Sequence, residues 1–416
     1  MSTLTMTRKQ DDQTSFSLGM LLHDKRYRSY TIQIIALMCL MLAAAWLLDN
    51  TVRNLAALGK DFSFSFLWSA AGYDINQQPI AYDSQMTHGR AALVGLLNTL
   101  ILAMLACVTA TVIGVLAGVL RLSDNWIVSR LMGWYIELFR NVPALLCILI
   151  IGAVMAQAMP TPSSYRNAGV SEATIAVTNR GIYVPEPLFS HDLGVLDLGV
   201  VQPGINTLVI IGLLILCLLL DHQLRRHADS VQSRTGKRPV LWWKRLAVLV
   251  LPMVALLYVL GFHLGYPQLR GFNFQGGLQL GNALIAMWIG LSVYTGAFIA
   301  EIVRSGIQSI SRGQTEAAHA LGLRPGRTMR LVILPQALRV IVPPLTSQYL
   351  DITKHTSLGL AVGYMDLRST LGGITINQTG RELEGILLMM IIYLTISLVI
   401  SGLMNLYNNR VKLQGR

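Results

Sequence analysis

The chain has 416 residues, of which 53% are hydrophobic and 13% charged, with a mean hydropathy of +0.52; soluble globular chains carry about 25% charged residues, so a soluble enzyme or binding domain is excluded. Lys and Arg number 33 against 21 Asp and Glu, a formal charge of +12, and in so apolar a chain that excess is tested against membrane topology before nucleic acid is considered. Cys39, Cys107, Cys147 and Cys217 all lie inside apolar runs without CxxC spacing, which suggests neither a disulfide framework nor a metal site.

A helix of about 20 apolar residues crosses a hydrocarbon core of roughly 30 Å. Such stretches are predicted near 31–48, 93–119, 142–158, 206–220, 246–264, 282–300, 337–352 (running on toward 365) and 386–406. The first follows Lys25, Arg26 and Arg28 as a signal peptide would, but it is long, rich in Leu and Met, and lacks a cleavage site before Asp49, so it reads as a retained anchor. Gly114 and Gly118 in the second span, and Gly359 and Gly363 near the end of the seventh, have the small-xxx-small spacing that lets helices approach closely. The loops 49–91 and 159–204 have room for short helices or strands and offer surface for another molecule to rest on.

With the N-terminus in the cytoplasm, the loops 1–29, 121–134, 222–245, 301–339 and 407–416 hold 23 of the 33 Lys and Arg, against 8 in the four opposite loops. The positive-inside rule demands this asymmetry, so most of the excess charge is a topology signal. The basic loop 222–245 ends in Trp242, Trp243, Lys244 and Arg245, residues suited to the lipid headgroup interface rather than to nucleic acid.

No P-loop, H-E-x-x-H or G-x-S-x-G occurs, so neither ATP binding nor hydrolysis by this chain is indicated. Charges at membrane depth carry more information, since burying one in hydrocarbon costs at least about 2.5 kcal/mol. Glu137 and Arg140 share one helical face just before the third span, Glu301 and Arg304 repeat that spacing at the end of the sixth, and Lys354 lies in the seventh with apolar sequence on both sides. Each has two readings: a structural ion pair or headgroup contact, or a place in a translocation path or gate.

The most distinctive stretch is GQTEAAHALGLRPGRTMRLVILPQALRVIVPPL, 313–345. It reads as two short helices joined by a bend. Thr315 is expected to cap a helix running through Glu316, Ala317 and Ala318, Gly322 to supply a left-handed exit, and Pro325 to open a second helix ending toward Pro335. A short helix with a low-relief face between two membrane helices suits a rigid element that docks in a partner's groove.

E-A-A-x-x-x-G followed by V-I-L-P (Glu316 to Gly322, then Val332 to Pro335) resembles the EAA loop of ABC importer permeases. YTGAFIAEIVRSGIQSISRGQTEAAHALGL and VILPQALRVIVPPLTSQYLDITKHTSL are similar to the polar amino acid (histidine/glutamine/glutamate) permease group, as are GLLNTLILAMLACVTATVIGVLAGVLRLS and YIELFRNVPALLCILI. The likeness covers about 95–158 and 282–405. Five core spans plus three extra ones resemble the larger permease chain of general L-amino-acid importers of Gram-negative bacteria, including the glutamate/glutamine/aspartate/asparagine type.

This resemblance implies an all-α, polytopic inner-membrane protein with both termini cytoplasmic, and four regions follow: a tail, anchor and periplasmic loop (1–92), the first part of the permease core (93–158), a loop and two-span insert (159–281), and the second part of the core with the coupling loop (282–416). The implied partners are an ABC ATPase dimer, a second permease subunit, a periplasmic amino-acid-binding protein, an L-amino acid and the lipid membrane. ATP and Mg would be bound by the ATPase, leaving no cofactor or metal in this chain and no enzymatic activity of its own. The coupling role falls by resemblance on Gly313, Glu316, Ala317, Ala318, Gly322, Leu334 and Pro335. Arg140 and Pro143 match the group's R-x-x-P element, and Lys354, Thr356 and Ser357 its K-x-T-S-L element. These, with Glu137 and Glu301, are the candidates for the path or gate. Asn141-Val142 replaces the common Gly-Thr and His355 a common Asn, so no residue is assigned as an amino-acid ligand. The alternative is an ATP-independent secondary transporter, for which intramembrane acids and an internal repeat would speak; no convincing repeat is seen, and it leaves the EAA stretch unexplained.

Overall fold

The computed structural model describes residues 25–411 apart from 58, 60, 168, 170–172, 197–202 and 237–238; the expected N-terminal tail before residue 25 lies outside the described residues. Among these residues eight helices are long and apolar enough to cross a membrane, the number the hydropathy pattern predicts. The chain divides into two compact units, Met1–Phe64 and Ser65–Arg416. Helix α1 (Lys25–Ala57) dominates the first; its central stretch is long and apolar enough to span a membrane. Residues 65–92 belong to the second unit, where Ile75 and Tyr82 join Ala91 and Val94 in a small core.

In chain order the second unit contains α2 (His88–Leu120), α3 (Trp126–Asn141), α4 (Ala144–Gln157), α5 (Pro162–Asn167), α6 (Ile205–Thr235), α7 (Trp242–Val259), α8 (Asn282–Gln308), α9 (Arg312–Ala320), α10 (Pro325–Thr328), α11 (Leu334–His355) and α12 (Glu382–Val411). Pro143 separates α3 from α4: it has no N–H to continue the helix, and it forces Val142 into an extended conformation (ψ 135°). The third span therefore starts at Ala144, and the polar residues before it lie on the separate amphipathic helix α3.

The centre of the unit is the α2–α8 contact. A methyl built on Gly114 would sit 2.5 Å from Ile299 Cβ, and one on Gly118 2.5 Å from the Ala300 carbonyl oxygen. Only glycine allows this approach, which bears out the expected small-residue face. Around it Leu102, Ala106, Ile148, Met287, Ile299 and Ile341 form the main core. Gly359 and Gly363 do not make such a face. Gly359 lies in a tight 3-10 segment (Thr356–Val362) against Tyr364 of its own turn, and Gly363 is the left-handed residue (φ 75°) that ends it.

At the opposite end from α9, seven short strands among the described residues form three small antiparallel sheets: β1 (Ala176–Thr178), β2 (Gly181–Val184), β3 (Glu186–Phe189), β4 (Phe262–Gly265), β5 (Gln268–Arg270), β6 (Asn273–Gln275) and β7 (Leu278–Gly281). The loop 159–204 thus holds strands, as expected, and the last apolar residues of the predicted 246–264 span are strand β4. Pairing joins strands on either side of the two-span insert: β2 meets β7 with Gly181 opposite Gly281, and β3 meets β4 with Phe189 opposite Phe262. The insert is therefore a hairpin of α6 and α7 clasped at its base by sheets.

Candidate coupling loop and charged cluster

Helix α8 ends at Gln308 and α9 begins at Arg312. The cap of α9 is Ser311, in extended backbone (φ −61°, ψ 140°), four residues before the expected cap; Thr315 is half-buried on the inner side of the helix instead of capping it. The exit is as predicted. Gly322 takes φ +74°, its N–H bonds to the His319 carbonyl at 2.8 Å, and the Leu323 N–H bonds to Ala318 at 3.1 Å, the double hydrogen bond of a Schellman turn.

Pro325 opens α10 as expected, but no helix ends at Pro335. After the single turn of α10, residues Met329–Ile333 form a wide π-type turn that runs directly into α11, with Pro335 in its first turn. The proline ring would strike the carbonyl four residues upstream in a regular α-helix, and widening the turn removes that clash. The loop thus passes without a break into a membrane helix.

Burial sorts the residues of α9 into two faces. Ala318 is 4% exposed and packs inward, whereas Gly313, Glu316, Ala317 and Ala320 are exposed; at spacings of three, one and three they form one stripe. A Cβ built on Gly313 meets nothing within 4 Å, so nothing among the described residues requires a glycine there. Behind the helix a cavity of about 270 Å³ is lined by Ile307, Thr315, His319, Thr328 and Ile333 among others. Gln336 Nε2 donates to Gln314 Oε1 at 3.3 Å, tying α9 to α11.

The candidate charges part company. Glu301 and Arg304 form the expected pair, Arg304 Nη2 lying 2.5 Å from Glu301 Oε1 and Nε donating to Oε2 at 2.9 Å. Glu301 also accepts from Arg121 Nη1 at 3.1 Å, so one carboxylate joins the end of α2 to α8. Glu137 and Arg140 do not pair with each other: Glu137 faces Arg121 at 3.8 Å, and Arg140 lies over the Phe298 ring, 5.6 Å from its centroid. Their common helix places both toward α2 and α8, where better partners stand. Arg121, read from sequence only as a topology charge, is thus a centre of this cluster, and no local spacing reveals it.

Lys354 is 61% exposed in its side chain and 3.8 Å from Asp351. Beside it His355 packs edge-on to Tyr294 at 6.1 Å, with its Nδ1 buried and without a hydrogen-bond partner among the described residues. Thr356 is fully buried and its hydroxyl bonds the Thr353 carbonyl at 2.9 Å, while Ser357 Oγ bonds the Lys354 carbonyl at 2.7 Å. The K-x-T-S-L element therefore divides into an outward charge and hydroxyls spent on ending α11. Farther along, Asp366 is buried, accepts from Ser369 N–H and Oγ at 2.9 Å and from the Tyr393 hydroxyl at 3.3 Å. Burial pushes its carboxyl above the ordinary range, against the pull of the Ser369 donors.

Residues 239–413 match the family described as the binding-protein-dependent transport system inner membrane component. The chain is 54% identical to the glutamate/glutamine/aspartate/asparagine transport system permease protein BztB of Rhodobacter capsulatus, over 97% of this chain and 98% of that one. It is 42% identical to the putative amino-acid ABC transporter permease protein YhdX of Escherichia coli, over 94% and 95%, and 38% identical to the general L-amino acid transport system permease protein AapQ of Rhizobium johnstonii, over 97% of both. These relatives cover 94–97% of the chain, more than the permease core alone. A multi-pass membrane protein with helical spans, an EAA loop between the sixth and seventh of them and identity of this order over nearly its full length belongs to the amino acid ABC importer permeases of the bacterial inner membrane.

Proposed function

We propose that this chain is one permease subunit of an importer for polar L-amino acids, with glutamate, glutamine, aspartate and asparagine as its substrate class, driven by a separate ABC ATPase dimer that binds the ATP and Mg. The observation that carries this reading is the exposed stripe Gly313, Glu316, Ala317 and Ala320 on α9, a low-relief face with one carboxylate, mounted rigidly between α8 and α11. The substrate class rests on what the relative BztB is named for. A periplasmic amino-acid-binding protein and a second permease subunit complete the complex. The α9 end faces the cytoplasm together with both termini, in keeping with the excess of Lys and Arg in the loops on that side.

In this mechanism closure of the ATPases displaces α9. The Schellman turn at Gly322, the Gln314–Gln336 bond and the inward packing of Ala318 prevent the helix from rocking freely, so the displacement passes into α8 and α11. Within that frame, Leu334 and Pro335 carry the motion through the wide turn into the membrane, and Pro143 sets the angle at which α4 enters it. Both ATP and the loaded binding protein must favour the outward-open state for the cycle to run. Arg140, Glu137 and Glu301 hold the α9 ends of the helices together, and Lys354 with Asp351 presents a charge pair of both signs, suited to a zwitterion, along the path.

The test is co-purification. Glu316→Lys and Gly322→Pro, together, place a wrong charge on the docking face and remove the bend; the ATPase is expected to elute with the wild type and not with the double variant. An ATPase that stays bound to the variant, or never binds the wild type, overturns the assignment of α9 as the docking element.

A further inference from the structure

A second polar cluster lies outside the coupling loop, in the α6–α7 hairpin. The apolar run of α6 ends at Asp221, and that of α7 begins at Leu246 just after Trp242, Trp243, Lys244 and Arg245. This is the level at which hydrocarbon gives way to headgroups, and both tryptophans are exposed, as interfacial anchors are. Asp221 is 4% exposed. Two guanidinium groups converge on its carboxylate: Arg245 Nε donates to Oδ1 at 2.5 Å and Nη2 to Oδ2 at 3.3 Å, while Arg225 Nε donates to Oδ2 at 2.8 Å.

One carboxylate needs one cation, and here it holds two, leaving a net positive charge at the membrane boundary. Each arginine is fixed through its Nε and Nη2 edge. Among the described residues the Nη1 groups have no further partner, so donors from two helices remain available in a set orientation. Between them is a cavity of about 290 Å³, lined by Arg225, Arg245, Ala228, Pro239, Leu241 and Trp242, close to the roughly 300 Å³ at which small-molecule sites begin. Helix α7 starts there without a side-chain cap, so its first backbone N–H groups add to the donors. No residue of α7 is buried, which leaves the cavity accessible to a lipid lying along the hairpin.

We propose that this cavity binds the phosphate of an anionic phospholipid. Forked guanidinium donors suit phosphate oxygens, and basic pockets between helices at the membrane boundary recognise anionic headgroups. The flanking tryptophans and the depth of the cluster favour a lipid phosphodiester over an anion from solution. The lipid would lock the α6–α7 hairpin at this end, opposite the sheets that clasp its base.

The test is to purify the intact chain with its accompanying subunits in mild detergent, measure retained phosphatidylglycerol by mass spectrometry, and follow thermal unfolding with added phosphatidylglycerol, phosphatidylcholine or inorganic phosphate. Wild type is expected to retain phosphatidylglycerol and to be stabilised by it alone. The triple variant Asp221→Asn, Arg225→Gln, Arg245→Gln neutralises the cluster without leaving a buried lone charge, and retention should fall at least fivefold. Asp221→Asn alone frees both arginines and should keep or raise retention, which decides the matter should the triple variant fail to fold. Retention unchanged in the triple variant, lost in Asp221→Asn, or stabilisation reproduced by phosphatidylcholine or inorganic phosphate, overturns the proposal.

Discussion

The α2–α8 pair and the α6–α7 hairpin are both built from helices long enough to cross a membrane, yet they hold together by different means. In α8 the most apolar window is 67% buried inside the protein, in α7 none of it is. Lipid supplies no hydrophobic drive for one helix to leave it for another, so association depends on close packing or on polar contacts. The central pair uses packing: Gly114, Gly118 and Gly296 bring backbones together over several turns. The hairpin uses polarity, with Asp221 and its arginines at one end and paired strands at the other. A packed interface fixes every residue along it, whereas a clasp at each end leaves the middle free to vary.

The largest effect is expected where packing is tightest. Gly118→Leu drives a side chain into the Ala300 backbone, which cannot move aside as a flexible side chain would. Overpacking of this kind costs about 1–3 kcal/mol, and occasionally more, and against backbone the upper end applies. The variant should lose its monodisperse peak in size-exclusion chromatography or melt well below wild type; a wild-type melting profile would break the distinction drawn between the two pairs.

Next comes the charged cluster at the end of the same interface. Glu301→Gln keeps the shape but removes the charge that Arg121 and Arg304 share. Hydrogen bonds to charged groups contribute about 1.5–3 kcal/mol each, and with the group about a quarter exposed solvent recovers part of that. A moderate fall in melting temperature, smaller than for Gly118→Leu, is expected, and Glu301→Asp should not rescue it because the shorter side chain cannot span both arginines. A larger loss than for Gly118→Leu would make electrostatics, not glycine packing, the dominant tie.

How much of this was legible in the sequence follows the same division. The eight spans, the Gly114 and Gly118 contact and the bend at Gly322 depend on local composition and spacing, and the structure shows all of them. The EAA stretch was distinctive enough to point to the family. What stayed hidden depends on partners far along the chain. Arg121 and Glu301 are 180 residues apart, and Asp221 and Arg245 are 24 apart across a loop. Strands of three or four residues that pair across a two-helix insert give too short an alternation to detect. The start of α9 differs from the expectation because Thr315 and Ser311 are both acceptable caps; tertiary packing, with Thr315 turned inward, selects Ser311.

A smaller effect on stability separates path from scaffold. Lys354→Ala removes an exposed side chain with one loose ion pair, and such pairs contribute about 0–1 kcal/mol. Melting should shift little, while uptake by the reconstituted importer falls severalfold if Lys354 lies on the path. Unchanged uptake would return Lys354 to the surface and leave Asp351 without a role.

The smallest effect is predicted in the hairpin. A Cβ built on Gly212, within the apolar run of α6, meets nothing within 4 Å. Gly212→Leu therefore repeats the change made at Gly118, in another membrane helix, with the opposite expectation. No backbone stands in the way, the helix gains a better helix-forming residue, and the new side chain faces open space. Melting and chromatography should match wild type or improve slightly, since the ends of the hairpin, not its middle, hold α6 to α7. Should Gly212→Leu disrupt the protein as Gly118→Leu does, then a further helix must pack on α6 in the assembled complex, and the hairpin would be an interface for a second subunit rather than an appendage held by its two clasps.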